Sequence, residues 1–158
     1  MRKISLAVAV FLAASASALA AEVTVTQIKA SGSGGKAVVD QRLKDIADPL
    51  VKSFPSYSRF DYVAGDTDTI ETGDTSTLKL KTGAYLDMTI DAEETDDQGN
   101  IRHKISLDVY ELIQQKTGQV KKPISKFTFK NPSGGTFVVG LPDSKDLGGR
   151  PIIAIKTK

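Results

Sequence analysis

The chain contains no cysteine, no tryptophan and one histidine, His103. Without cysteine there is no disulfide framework, no thiol nucleophile and no lipid-modified N-terminal cysteine. A zinc site built from several His or Cys ligands is excluded, and any Ser-His-Asp apparatus would have to use His103. That histidine falls in the alternation Ile101, His103, Ile105, Leu107, Val109, on the apolar face of a strand near a turn. The expectation is a half-buried, hydrogen-bonded side chain rather than a catalytic base. Aromatic residues make up only 6% of the chain, few for a sugar-binding cleft. Long apolar runs are scarce too, apart from one at the start.

That run carries the first positive signal. Arg2 and Lys3 precede an apolar stretch from Ile4 to Ala14 broken only by Ser5, and Ala18-Leu19-Ala20 follows. A basic start, a short apolar centre and an A-x-A end describe a cleavable signal peptide, here residues 1–20 with the cut before Ala21. A membrane span needs about 20 apolar residues, so no integral span is expected after cleavage. The expected destination is the periplasm or the outside of a bacterial cell, and residues 21–158 have the size of one domain.

Charge is distributed rather than excessive. The 21 basic and 19 acidic residues include Arg2 and Lys3, so beyond the leader the net charge is zero. No electrostatic case for nucleic acid remains. Asp61 to Asp97 nevertheless holds eleven acidic side chains against Lys79 and Lys81, and the chain from Arg102 onward is predominantly basic. Neighbouring strands of opposite charge, paired across a sheet, are the expected outcome; separate acidic and basic binding faces are the alternative.

Hydrophobic spacing assigns the fold class. Val39, Leu43, Ile46 and Leu50 recur at helical spacing, which predicts a helix with a break at Pro49 and Asp48 capping a second short turn. Residues 31–36 read as a flexible Gly/Ser loop. Glu22–Ala30 and every apolar run after Tyr57 have a period of two, separated by turn signals that include Gly65-Asp66, Thr72-Gly73-Asp74 and Gln98-Gly99-Asn100. The clearest hairpin is Leu86–Ala92 with Ile101–Val109. The prediction is a mainly β chain: a single antiparallel β-sandwich or partly closed barrel, with one N-terminal helix packed on it. Pro123 and Pro151 mark strand starts or edges.

Candidate sites are few. Ser31-Gly32-Ser33-Gly34-Gly35-Lys36 is no phosphate loop, since Ala30 and Ala37 stand where Gly and Ser or Thr are required. Asp91, Glu93, Glu94, Asp96 and Asp97 beside a Gly-Asn turn form the best candidate for a hard cation such as Ca²⁺. They do not fit an EF-hand, because Gly99 at loop position six puts Ile105 where Glu is needed. Phe54, Tyr57, Phe60 and Tyr62 cluster at the helix-to-strand junction, as helix–sheet core or as an aromatic patch for a partner. Lys121-Lys122 before Pro123 reads as a guard against edge-to-edge aggregation.

One resemblance adds to this. The helix segment Asp40 to Ile46, the Phe54-Pro55-Ser56-Tyr57 stretch, and an ending from Gly134-Gly135-Thr136-Phe137 to Gly148-Gly149-Arg150-Pro151-Ile152 resemble a loose group of uncharacterised exported bacterial β-rich proteins. The resemblance implies fold and export, and no activity. The expected function is a non-enzymatic exported module that binds a protein partner. The alternatives are a secreted hydrolase using carboxylates such as Asp87, Asp91, Glu93 and Glu94, or a Ca²⁺-stabilised adhesion domain.

Overall fold

A computed structural model describes residues 19–158, so residues 1–18 of the expected leader lie outside the described residues. The strands are β1 (Ala20–Ser31), β2 (Val38–Val39), β3 (Arg59–Glu71), β4 (Thr75–Lys79), β5 (Tyr85–Thr95), β6 (Ile101–Gln115), β7 (Gly118–Pro132), β8 (Thr136–Gly140) and β9 (Arg150–Thr157). They form two sheets, in the orders β2-β3-β1-β9-β8 and β4-β5-β6-β7. Every pairing is antiparallel except that of β2 with β3. The mainly β class expected from the period-two runs is therefore observed. The β1 strand extends beyond the expected Glu22–Ala30: Ala20 pairs with Glu71, and the Thr72 N–H and hydroxyl donate to the Leu19 carbonyl at 2.9 and 3.0 Å. The ladder thus runs across the expected cleavage point.

The first sheet is buried on both faces, at different places. On β1, Val23 and Val25 join an apolar cluster with Leu86, Met88, Ile90, Ile105, Leu107 and Val109 of the second sheet. Further along, Ile28 and Ala30 point the other way and meet Leu43, Leu50 and Phe60 in a second cluster. The β9 strand serves both clusters at once: Ile153 and Ile155 face the first, Ile152 and Ala154 the second. This explains its unbroken apolar run, in which a period of two is hidden by burial on both sides.

The expected helix is divided. Val39 belongs to β2 and pairs with Phe60, a 3-10 helix covers Gln41–Ile46, and α1 covers Ala47–Ser53. Asp40, not Asp48, is the capping residue; its carboxylate accepts the Arg42 N–H at 2.9 Å. The break falls at Ile46 rather than Pro49, because Pro49 occupies the first turn of α1, where a backbone N–H has no intrahelical partner. The apolar stripe still works, since Leu43 and Leu50 are fully buried under the sheet. Among the described residues, no helix is long and apolar enough to cross a membrane.

Gly65-Asp66 is not a turn. It lies inside β3, two residues past a bulge that sets Gln27 opposite Ala64 and Ile28 opposite Tyr62. Gly65 is required there by close approach: a Cβ would come within 2.7 Å of the Tyr62 hydroxyl oxygen. Pro123 does sit on an edge strand, in mid-β7, beside the bulge between the Val109–Ser125 and Tyr110–Pro123 pairs. The sheets are tied together where β7 passes to β8. Asn131, which is buried, donates from Nδ2 to Thr157 Oγ1 at 3.0 Å and to the Gly135 carbonyl at 2.9 Å.

Candidate functional site

The five carboxylates proposed from sequence as a cation site do not converge. Asp91, at the bulge of β5, accepts from Ser106 Oγ at 2.6 Å. Glu93 points inward, with Oε2 3.8 Å from His103 Nδ1, whereas Glu94 binds Lys130 Nζ at 2.6 Å on the other face. Hydrogen bonding by that lysine holds the Glu94 carboxyl below its ordinary range. Asp96 is absorbed by the turn itself. It accepts from the backbone of Asn100 and Gln98 and from the Asn100 amide, with Arg102 alongside. These bonds, led by the Asn100 backbone, also lower its pKa. Asp97 is exposed at the tip. Among the described residues, no group of three or more His, Cys, Asp or Glu side chains is arranged to hold a metal ion.

The aromatic quartet belongs mainly to the second cluster. Phe60 is fully buried, and Phe54, Tyr57 and Tyr62 pack partly buried around it. An exposed patch containing all four is therefore corrected: Phe60 pairs with Val39 and Ala30 in mid-sheet, so its ring is held inside. Arg42 covers Tyr62, its guanidinium 4.3 Å from the ring centre. His103 is 3% exposed, with Nδ1 buried and unpartnered, between Glu93 and Asn131 on its neighbouring strands.

The opposite ends of the charge distribution meet across the second sheet. Besides Glu94 with Lys130, Asp87 pairs with Lys121, Asp108 with Lys126 and Glu111 with Lys122. Two of these pairs, Asp87–Lys121 and Glu94–Lys130, join the acidic stretch on β5 to the basic one on β7 across the intervening β6, while Asp108–Lys126 and Glu111–Lys122 form within the chain beyond Arg102; each exposed pair contributes little on its own. Asp87 is the exception in burial. It accepts from Thr77 Oγ1 at 2.7 Å, Lys121 Nζ at 2.8 Å and the Tyr110 hydroxyl at 3.1 Å. Burial opposes its charge, yet these bonds from Lys121, Thr77 and Tyr110 prevail and hold its pKa below the ordinary value. Tyr110 stacks on Tyr85 with ring centres 5.7 Å apart, and Lys121 lies 4.2 Å from the Tyr110 ring centre.

Sequence reasoning missed what this end of the sheet does. The β5–β6 pairing ends at Tyr85–Tyr110, so Glu111–Gln115 and Gly118–Lys122 continue as a two-stranded arm. Leu112 and Val120 on that arm are 37% and 39% exposed. A cleft of about 430 Å³ opens at its base, between Pro123, Ile124 and the β8–β9 loop. Both β7 and β8 are edge strands. Between them Ile124, Phe127, Phe129 and Phe137 are only partly buried, with Phe129 stacked on Phe137 at 3.7 Å. The odd-numbered Phe127 and Phe129 were legible as an inward face; that their strand pairs on one side only was not, because strand order is a tertiary property. In comparisons with family models, curated proteins and solved structures, nothing matches this chain.

Proposed function

We propose that this chain is an exported, non-enzymatic β-sandwich that binds a protein partner along β7. One observation carries the reading: a fifteen-residue strand lies at the edge of its sheet, next to half-buried aromatic side chains and the edge strand β8. The free side of an edge strand presents a row of backbone donors and acceptors, and an added strand satisfies them while adjacent side-chain seats supply specificity. Lys121, Lys122 and the bulge beside Pro123 discourage indiscriminate pairing at one end of β7. The leader-like residues 1–20 and the resemblance described above support export. The hydrolase alternative finds less support, because Asp87 and Asp91 are bound by neighbouring side chains on the sheet surface and Glu93 points inward beside His103.

The test is a photo-crosslinking residue placed at Thr128, exposed on β7, and at Thr69, exposed on β3, in cells that export the chain. The expected result is a discrete protein adduct from position 128 and none from 69. Absence of an adduct at 128, or equal labelling at both positions, contradicts the reading.

A further inference from the structure

A second groove, apart from β7, has the chemistry of a ligand site. It has a volume of about 510 Å³ and lies between the end of β1 and the β8–β9 loop, lined by Ser31, Tyr57, Asp143, Ser144, Lys145 and Arg150 among others. Four arginines fall among the described residues. Three are neutralised by an aspartate: Arg42 by Asp40 at 2.6 Å, Arg59 by Asp61 at 2.9 Å and Arg102 by Asp96 at 3.3 Å. Arg150 has no carboxylate within ion-pair distance among the described residues. Its Nε is buried and has no hydrogen-bond partner. A guanidinium partly withdrawn from water and left unpaired keeps a strong demand for an anionic acceptor.

The seat of this side chain is built. Arg150 opens β9 opposite Ala30 and shares a strand face with Ile152. On β8, Gly140 pairs with Ile152 and leaves the space the guanidinium needs: a Cβ there would lie 3.0 Å from Arg150 Nε and 2.9 Å from the Phe54 ring. The head group is thus held beside an aromatic edge and a bare backbone instead of sweeping through solvent. With Nε enclosed, the four Nη hydrogens are the donors left for an oxyanion.

Charge selects the ligand class. Arg150 and Lys145 bring two positive charges to the groove and Asp143 one negative, so the groove matches a singly charged group better than a dianion. A planar carboxylate fits the guanidinium fork in a two-bond arrangement, and the hydroxyls of Ser31, Ser144 and Tyr57 are neutral donors around it. We propose that this groove binds a small organic carboxylate, with Arg150 as its anchor and Lys145 at its rim.

The experiment is an NMR titration of the ¹⁵N-labelled protein with sodium benzoate and, separately, with inorganic phosphate, at constant ionic strength. It follows the backbone amides and the Arg150 Nε–H signal. Benzoate should give saturable shifts at Gly148, Gly149 and Arg150 and move the Nε–H signal, with phosphate weaker. Arg150→Lys should weaken benzoate binding at least tenfold, while Arg102→Lys, at the acidic turn, leaves it unchanged. The wild-type Nε–H signal reports even if the Arg150 variant does not fold. Shifts that never saturate, tighter binding of phosphate, or equal affinity in Arg150→Lys overturn the proposal.

Discussion

Asp87 is the side chain whose chemistry is most sharply defined by its surroundings. It is a largely covered carboxylate with three donors from three strands. Its pKa is lowered in the folded chain, so folding is favoured by its ionised form. The sign follows from linkage. The contribution is full above the unfolded carboxylate value near 4 and is lost as pH falls through the lower folded value. Asp87→Asn is therefore expected to lower stability at pH 7 by about 1–3 kcal/mol, and to flatten the acid limb below about pH 4, as measured by urea unfolding across pH. The surrounding Lys–acid pairs behave differently. Breaking the Asp108–Lys126 pair, with 49% and 73% of those side chains exposed, should change stability by well under about 1 kcal/mol.

Among elements, the helical segment separates what packing demands from what the backbone tolerates. Leu50 is fully buried against the first sheet, so Leu50→Ala should cost about 2–5 kcal/mol by thermal or urea unfolding. Pro49→Ala should change stability by less than about 1 kcal/mol, since no backbone bond is gained in the first turn. The sequence stripe identified Leu43 and Leu50 correctly as buried, because burial follows spacing. It placed the break at the wrong residue, because the position of Pro49 within a turn depends on where the chain leaves β2. The hairpin around Gly99 was readable from local turn chemistry. Gly65 was not: its reason is the overlying Tyr62, a contact set by the bulge opposite Gln27 and Ile28. The β6–β7 arm was hidden likewise, since it exists only because β5 stops at Tyr85. Leu112→Glu with Val120→Glu should leave the unfolding midpoint nearly unchanged, both being exposed, and should weaken crosslinking at Thr128 if the arm contributes to the partner's seat.

For the whole molecule, two apolar clusters lie on either face of the first sheet, and β1 and β9 contribute to both. Among the described residues, no group of three or more His, Cys, Asp or Glu side chains is arranged to hold a metal ion beside either cluster. The melting temperature is therefore expected to stay unchanged when millimolar Ca²⁺ is replaced by chelator, as binding to the native state alone would raise it. At this scale the sequence reading was right about class and blind to strand order, the property on which the proposed function turns. The most direct measurement of that proposal is hydrogen exchange on the exported chain, alone and in its crosslinked complex. The β7 amides lying free in the isolated chain are expected to slow at least tenfold in the complex, while those on the outer edge of β3 do not. Unchanged exchange along β7 in a complex that has formed would contradict it.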